Sequence, residues 1–311
     1  MTASNATTAT SRSRALTVPR PRSERVIELL LVAAAGVGVL TTVGIVIVLL
    51  LEAAQFFALV SPIDFLTGTV WSASILPFRF GIIPLVTSTL EVALLGLVVA
   101  VPLGLLAAIY LAEYASLRTR NIVKPILEIL AGVPTIVLGF FALNFITPQI
   151  LKPALPSIGT FNMLSAGIVV GLLITPLIAS LSEDALRAVP RGLREGAFAM
   201  AATRFEVTRR VIVPAALSGI MASVILAMSR AVGETMAVVL AMSFNPKLTV
   251  NPLEQGGTMA AFIAQITSGD TPQDSIQFKS LFAVALVLFA ITLGLNLISN
   301  RIVARFRNRY A

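Results

Sequence analysis

The chain has 311 residues, 57% of them hydrophobic and only 12% charged, with a mean hydropathy of +0.92. A soluble domain carries about 25% charged residues and a core of this size still needs a polar shell, so the composition excludes a soluble globular protein and defines an integral membrane protein. The net charge of +8 fits Lys and Arg kept on cytoplasmic loops better than nucleic-acid binding, and the absence of Cys and His excludes disulfides, thiol nucleophiles, the usual haem and zinc sites and histidine acid–base chemistry.

Residues 1–25, rich in Ser, Thr, Ala, Pro and Arg, have little to bury and read as a disordered cytoplasmic tail. The apolar run at 29–51 spans 23 residues with no cleavage site after it, whereas a secretory signal has a core of about 7–15. A retained transmembrane helix is therefore expected within 26–60. Five more apolar runs follow at 82–111, 125–146, 163–181, 219–242 and 281–303, all near or above the roughly 20 residues that cross the hydrocarbon. Residues 306–311 form a second cytoplasmic tail.

The orientation comes from counting basic residues. The tail to Glu28, the loops 112–124 and 182–218, and the C-terminal segment together hold 18 Lys and Arg. The opposite loops hold four: Arg79, Lys152, Lys247 and Lys279. This bias places both termini and the 182–218 loop in the cytoplasm. The outer loops 52–81 and 243–280 are long; the first carries Trp71 and several Phe suited to a membrane interface. The second contains GGTMAAFIAQI, 256–266, expected as a short interfacial helix. No internal repeat is visible.

The loop stretch EGAFAMAATRFEVTRRVIVP, 195–214, alternates packing and capping residues. Pro190 can open a helix, because its missing N–H would be unpaired there. Gly196, Ala197, Ala199, Ala201 and Ala202 leave little side-chain bulk, while Phe198, Met200 and Phe205 form apolar knobs that need a cover. Thr203 and Glu206 make a capping box that starts a second helix, and Pro214 ends it before the next span. Two short helices with a bend near Ala202 are expected. Taken by itself, this pattern fits either a lipid surface, with Arg204, Arg209 and Arg210 on anionic headgroups, or a protein partner.

This stretch resembles the EAA motif of the ABC-importer permeases: E-A-A, three residues, G, nine residues, I-x-L-P. Glu195, Ala197 and Pro214 match, and Gly196, Val211 and Val213 are mild changes. Ala201 stands where the family usually has Gly. The resemblance implies an all-α membrane domain over 80–305 with the six helices of the type I, MetI-like permease fold. It also implies a coupling loop at 183–218, formed by Glu195, Gly196, Ala197, Phe198, Ala201, Thr203, Arg204 and Pro214, that docks on a cytoplasmic ATPase. The chain lacks the G-x-x-x-x-G-K-[ST] phosphate loop. It is therefore read as a transport subunit and not an enzyme, binding no cofactor itself, with ATP and Mg used by a separate ATPase subunit.

Within the fifth run, Arg230 and Glu234 lie four apart, on one face of a helix if the helix is continuous. A charge at the bilayer centre costs about 2.5–3.5 kcal/mol on insertion scales, so such residues usually pair or face a water-filled path. One reading is a buried pair that fixes packing. The other is a substrate gate in which Arg230 binds an oxyanion through two parallel hydrogen bonds and Glu234 holds it otherwise. Glu91, after three hydroxyl residues, is a weaker path candidate, and Glu128 reads as snorkelled or capping. In AGVPTIVLGF, 131–140, Gly132 and Pro134 disturb a membrane helix, either to line a cavity or to kink it for packing.

The segments FLTGTVW, PLGLLAAIYLAEYA, AGVPTIVLGFFAL, VPRGLREGAFAMAATR and SRAVGETMAVV resemble the PstC family of phosphate-importer permeases, over roughly 62–305. That resemblance implies a bacterial inner-membrane location, inorganic phosphate as substrate and a path role for Arg230 and Glu234. The implied partners are a second, PstA-like permease, two PstB-like ATPase subunits and an external PstS-like phosphate-binding protein. Other oxyanions such as molybdate or sulfate, and the PstA-type partner itself, are the near alternatives. A stand-alone secondary transporter is more remote, since it would need a coupling site of its own.

Overall fold

The computed structural model describes residues 22–73 and 75–307. The chain divides into two compact units, Met1–Val48 and Leu49–Ala311. The described part of the first unit is purely helical, the start of α1 (Arg22–Phe57), and its side chains from 26 to 48 are almost all exposed. A helix apolar all round matches a membrane span. The tails expected at 1–25 and 306–311 lie outside the described residues, apart from 22–25 in α1 and 306–307 at the chain's last helical turn.

The second unit takes up the end of α1 and continues with α2 (Pro62–Thr67), capped by the Ser61 hydroxyl. Two short antiparallel strands follow, β1 (Trp71–Ser72) and β2 (Arg79–Phe80), with Trp71 opposite Phe80. Then come α3 (Ile83–Ile109), α4 (Leu117–Ala131), α5 (Thr135–Phe141), α6 (Lys152–Ala154) and α7 (Met163–Arg187). The chain finishes with α8 (Arg191–Ala199), α9 (Arg204–Val207), α10 (Val213–Val232), α11 (Met236–Met242), α12 (Met259–Ser268) and α13 (Ile276–Arg307). Among the described residues six helices are long and apolar enough to cross a membrane: Val26–Phe57, Ile83–Tyr114, Thr135–Ala154, Met163–Arg187, Arg204–Val232 and Ile276–Ile302.

Two spans differ from the sequence expectation. The third begins at Thr135, not at 125, because 117–131 forms α4, which ends at Gly132; Pro134 then caps α5. Pro134 denies the preceding residue helical dihedrals, so the apolar run cannot be one helix. The fifth starts at Arg204 and stops at Val232, so Pro214 does not end a short helix. A π-helical turn over Thr208–Ile212 precedes it, with Val213 N–H reaching back to Thr208 O, and this wide turn accommodates a ring that would clash in a regular α-helix. Similar wide turns lie at Tyr110–Tyr114 and Ala142–Leu151.

The centre of the unit is the contact of α3 with α7. A Cβ at Gly167 would stand 2.4 Å from Leu95 Cβ, and one at Gly171 2.7 Å from the Gly96 carbonyl oxygen. Gly104 is as tight against Ile178, at 2.9 Å. Small residues therefore let the two backbones touch, as in membrane helix pairs generally. At one end an aromatic cluster of Phe56, Phe65, Trp71, Phe80 and Phe262 packs edge to face. Trp71 is thus buried in this cluster, at 4% exposure. The expected helix in 256–266 is α12, capped by Thr258 and buried along Met259, Ala260, Ala261 and Phe262. At the opposite end Ala108, Leu186, Val189, Val207 and Ile212 form a smaller core beneath α8.

Candidate functional site

The coupling stretch folds into an exposed corner. Pro190 caps α8, whose last backbone turn closes at Met200. Ala201 then adopts φ 57°, the left-handed conformation that glycine takes without strain. The turn that the family makes with Gly is therefore made here with Ala, and the bend near Ala202 is present. Thr203 restarts the helix through a complete capping box: its hydroxyl accepts from Glu206 N–H and Glu206 Oε2 accepts from Thr203 N–H at 2.9 Å.

Side chains divide sharply around this corner. Ala197 and Ala202 pack on the core below, whereas Phe198, Met200 and Phe205 are 49%, 84% and 63% exposed. Glu195 and Gly196 are also exposed, and a Cβ at Gly196 would meet nothing within 4 Å. Pro214 is exposed a few turns further on, away from the bend.

The corner is tied to the end of α3 by contacts that sequence reasoning missed. Arg194 donates to Glu113 Oε1 at 2.7 Å and to the Leu186 carbonyl at 2.6 Å. Arg204 stacks its guanidinium over the Tyr114 ring at 5.3 Å. Glu113 and Tyr114 belong to the π-helical turn that ends the second span. Arg194 was visible only as one more positive charge, since its partner lies 81 residues away.

A second group of charges surrounds a cavity of about 150 Å³ lined by Lys124, Glu128, Ser180, Glu183 and Arg230, with Pro176 and Leu177 among its apolar walls. Arg230 is in the last turn of α10. Glu234 lies beyond the helix end at Gly233 and does not line this cavity. The two are therefore not on one continuous helical face, and no ion pair joins them among the described residues. Glu234 instead accepts from Ala237 N–H at 3.4 Å, capping α11. The unwound residues Gly233–Thr235 explain the change: glycine favours leaving the helix at this point.

Glu183 is wholly buried and was not singled out from the sequence. Its Oε1 accepts from Arg120 Nε at 2.5 Å and its Oε2 lies 3.2 Å from Lys124 Nζ. Lys124 also reaches Asp184 at 3.3 Å. Glu128, expected near a span end, sits exposed on α4. Glu91 lies on α3, apart from the cavity lining, with its Oε2 buried and without a hydrogen bond. Gly132 and Pro134 form the break between α4 and α5.

Six apolar spans, a small and mainly apolar cavity with Lys124, Glu128, Glu183 and Arg230 in its walls, and an exposed corner fit a multi-pass membrane permease. The chain belongs to the binding-protein-dependent transport system inner membrane component family, whose model matches residues 100–311. It is 34% identical over 267 residues to a probable ABC transporter permease protein, YqgH, of Bacillus subtilis, covering 85% of each chain. It is also 34% identical over 249 residues, 73% of each chain, to the phosphate transport system permease protein PstC 1 of Mycobacterium tuberculosis. An inward-facing MetNI methionine ABC transporter shares the fold with a TM-score of 0.53 at 20% identity, over 72% of this chain and 94% of that one. The MetI-like permease fold implied by the EAA resemblance is thus the observed one.

Proposed function

We propose that this chain is a permease subunit of an ATP-driven importer of inorganic phosphate, oriented with its corner and both termini in the cytoplasm. The observation that carries the reading is the corner itself. Phe198, Met200 and Phe205 project from a corner that meets the core below only through Ala197, Ala202 and Val207, and such a surface needs a partner. With no phosphate loop in the chain, the partner is a separate ATPase, present twice, whose closure pushes the corner. The links of Arg194 to Glu113 and of Arg204 to Tyr114 carry that push into α3. ATP and Mg belong to the ATPase subunits.

Phosphate is supported by the names of the PstC relatives and by the chemistry of Arg230, which cannot lose its proton and donates in parallel pairs. A related second permease completes the path and an external binding protein delivers the anion. Arg230 contacts the passing oxyanion, and Glu234 shapes the break that lets α10 and α11 adjust; Glu91, Gly132 and Pro134 lie further along the same route.

Two variants test the reading in proteoliposomes holding the whole complex. Arg230→Gln is expected to abolish uptake of radiolabelled phosphate while the complex still assembles; normal uptake would overturn the path assignment. Gly196→Arg enters open space and leaves the fold intact, so uncoupled ATP hydrolysis without uptake is expected. Full coupling in that variant would remove the docking role.

A further inference from the structure

Lys124 and Glu183 have no part in the mechanism described so far, yet their placement is costly. A wholly buried carboxylate is tolerated only when it is paired and hydrogen-bonded. Glu183 Oε1 satisfies this through Arg120, while Oε2 stands at ion-pair distance from Lys124 and accepts no aligned hydrogen bond. Lys124, with a quarter of its side chain exposed, is shared between Glu183 and Asp184. Both Lys124 and Glu183 line the same cavity as Arg230. At about 150 Å³ that cavity has room for a small oxyanion, and because its walls are otherwise mainly apolar, these few charged groups are the contacts it offers an anion.

We propose that Lys124 is a second anion-contacting cation of the path, sharing the cavity with Arg230, and that Glu183 is the positioning residue that competes with the anion for it. The proposal rests on the phosphate-permease reading and adds to it. When the cavity is empty, Lys124 rests on the two carboxylates. When an oxyanion enters, one or more of its three donors turn to the anion, and they return to Glu183 as the anion leaves. The cations lining the cavity, Lys124 and Arg230, are matched by Glu128 and Glu183. An entering anion therefore meets no net positive charge and is held weakly. Conduction requires this, since a site that binds tightly does not release.

The competition fixes the signs of the variants. Binding of inorganic phosphate to the purified complex, without the external binding protein or ATP, is read from ³¹P line broadening, and turnover from radiolabelled uptake. Lys124→Met is expected to weaken phosphate binding about tenfold, as loss of a charged hydrogen bond does. Lys124→Arg is expected to restore binding. Glu183→Gln is expected to tighten binding and to slow turnover, because the returning partner has gone; a purely structural role for Glu183 would slow turnover without tightening anything. Should the methionine variant fail to assemble, Lys124→Gln reads the same affinity. Unchanged affinity in both neutral Lys124 variants, or no tightening in Glu183→Gln, would overturn the proposal. If the wild-type complex imports sulfate or molybdate and not phosphate, the phosphate reading fails, and the same variants measured with the imported anion still decide the role of Lys124.

Discussion

The two ends of the helical bundle use apolar residues in opposite ways. At the aromatic end Phe56, Phe65, Trp71, Phe80 and Phe262 cover one another, with Phe56 and Phe65 fully buried. At the corner end Phe198, Met200 and Phe205 face outward, while only Ala197, Ala202 and Val207 pack on the core below. Both places carry large apolar side chains. What differs is the backbone: α2 and the short strands fold back over their own aromatics, whereas the capping box and the left-handed Ala201 hold the corner's knobs away from the bundle. Apolar residues that a loop cannot bury by itself mark a surface reserved for a partner.

The contrast can be broken at either end. Phe65→Ala at the aromatic end is expected to have the largest effect, a loss of about 3–5 kcal/mol, as for other buried aromatics, seen as a lowered unfolding midpoint in detergent. Thr203→Ala removes the capping box at the corner and is expected to cost about 1 kcal/mol, together with weaker retention of the ATPase. Ala201→Gly relieves the left-handed strain and is expected to stabilise by roughly 0.5–1 kcal/mol, net of the freedom glycine gains in the unfolded chain. Phe198→Ser sharpens the comparison: stability should stay within about 0.5 kcal/mol, while the ATPase no longer co-purifies.

The smallest expected effect lies in the loop between α11 and α12. The Lys247 ammonium, helped by Asn251, holds the Glu254 carboxyl below its ordinary value. A carboxyl depressed in the fold contributes stability above its unfolded value, near pH 4, and loses it as pH falls through the folded one. Glu254→Gln should therefore differ slightly from wild type at neutral pH and match it in strong acid, as read from unfolding midpoints across pH.

Most of the spans could be read in the sequence, because about 20 apolar residues in a row have few other fates. The corner was also legible. Thr203 and Glu206 state a capping box in four residues, and the small residues around Gly196 state close approach. Span ends were harder. Lys124 and Glu128 sit at the edge of an apolar run, and hydropathy alone cannot tell a helix lying on the bundle from the start of a span. The pairing of Arg230 with Glu234 failed for a local reason, the unwinding at Gly233. The pairing of Arg120 with Glu183 spans 63 residues and follows from how α4 lies on α7, which no short motif encodes. Polar contacts across such distances are visible only once the helices are placed.

The glycine-lined seam between α3 and α7 has a mechanical consequence. With no room for even a Cβ at Gly167 against Leu95 or at Gly171 against the Gly96 carbonyl, any larger residue at either position would push the two helices apart. Such a wedge would act on the span that joins Glu113, gripped by Arg194, to Ser88 and Thr89, whose hydroxyls accept from the backbone at Gly257 and Met259.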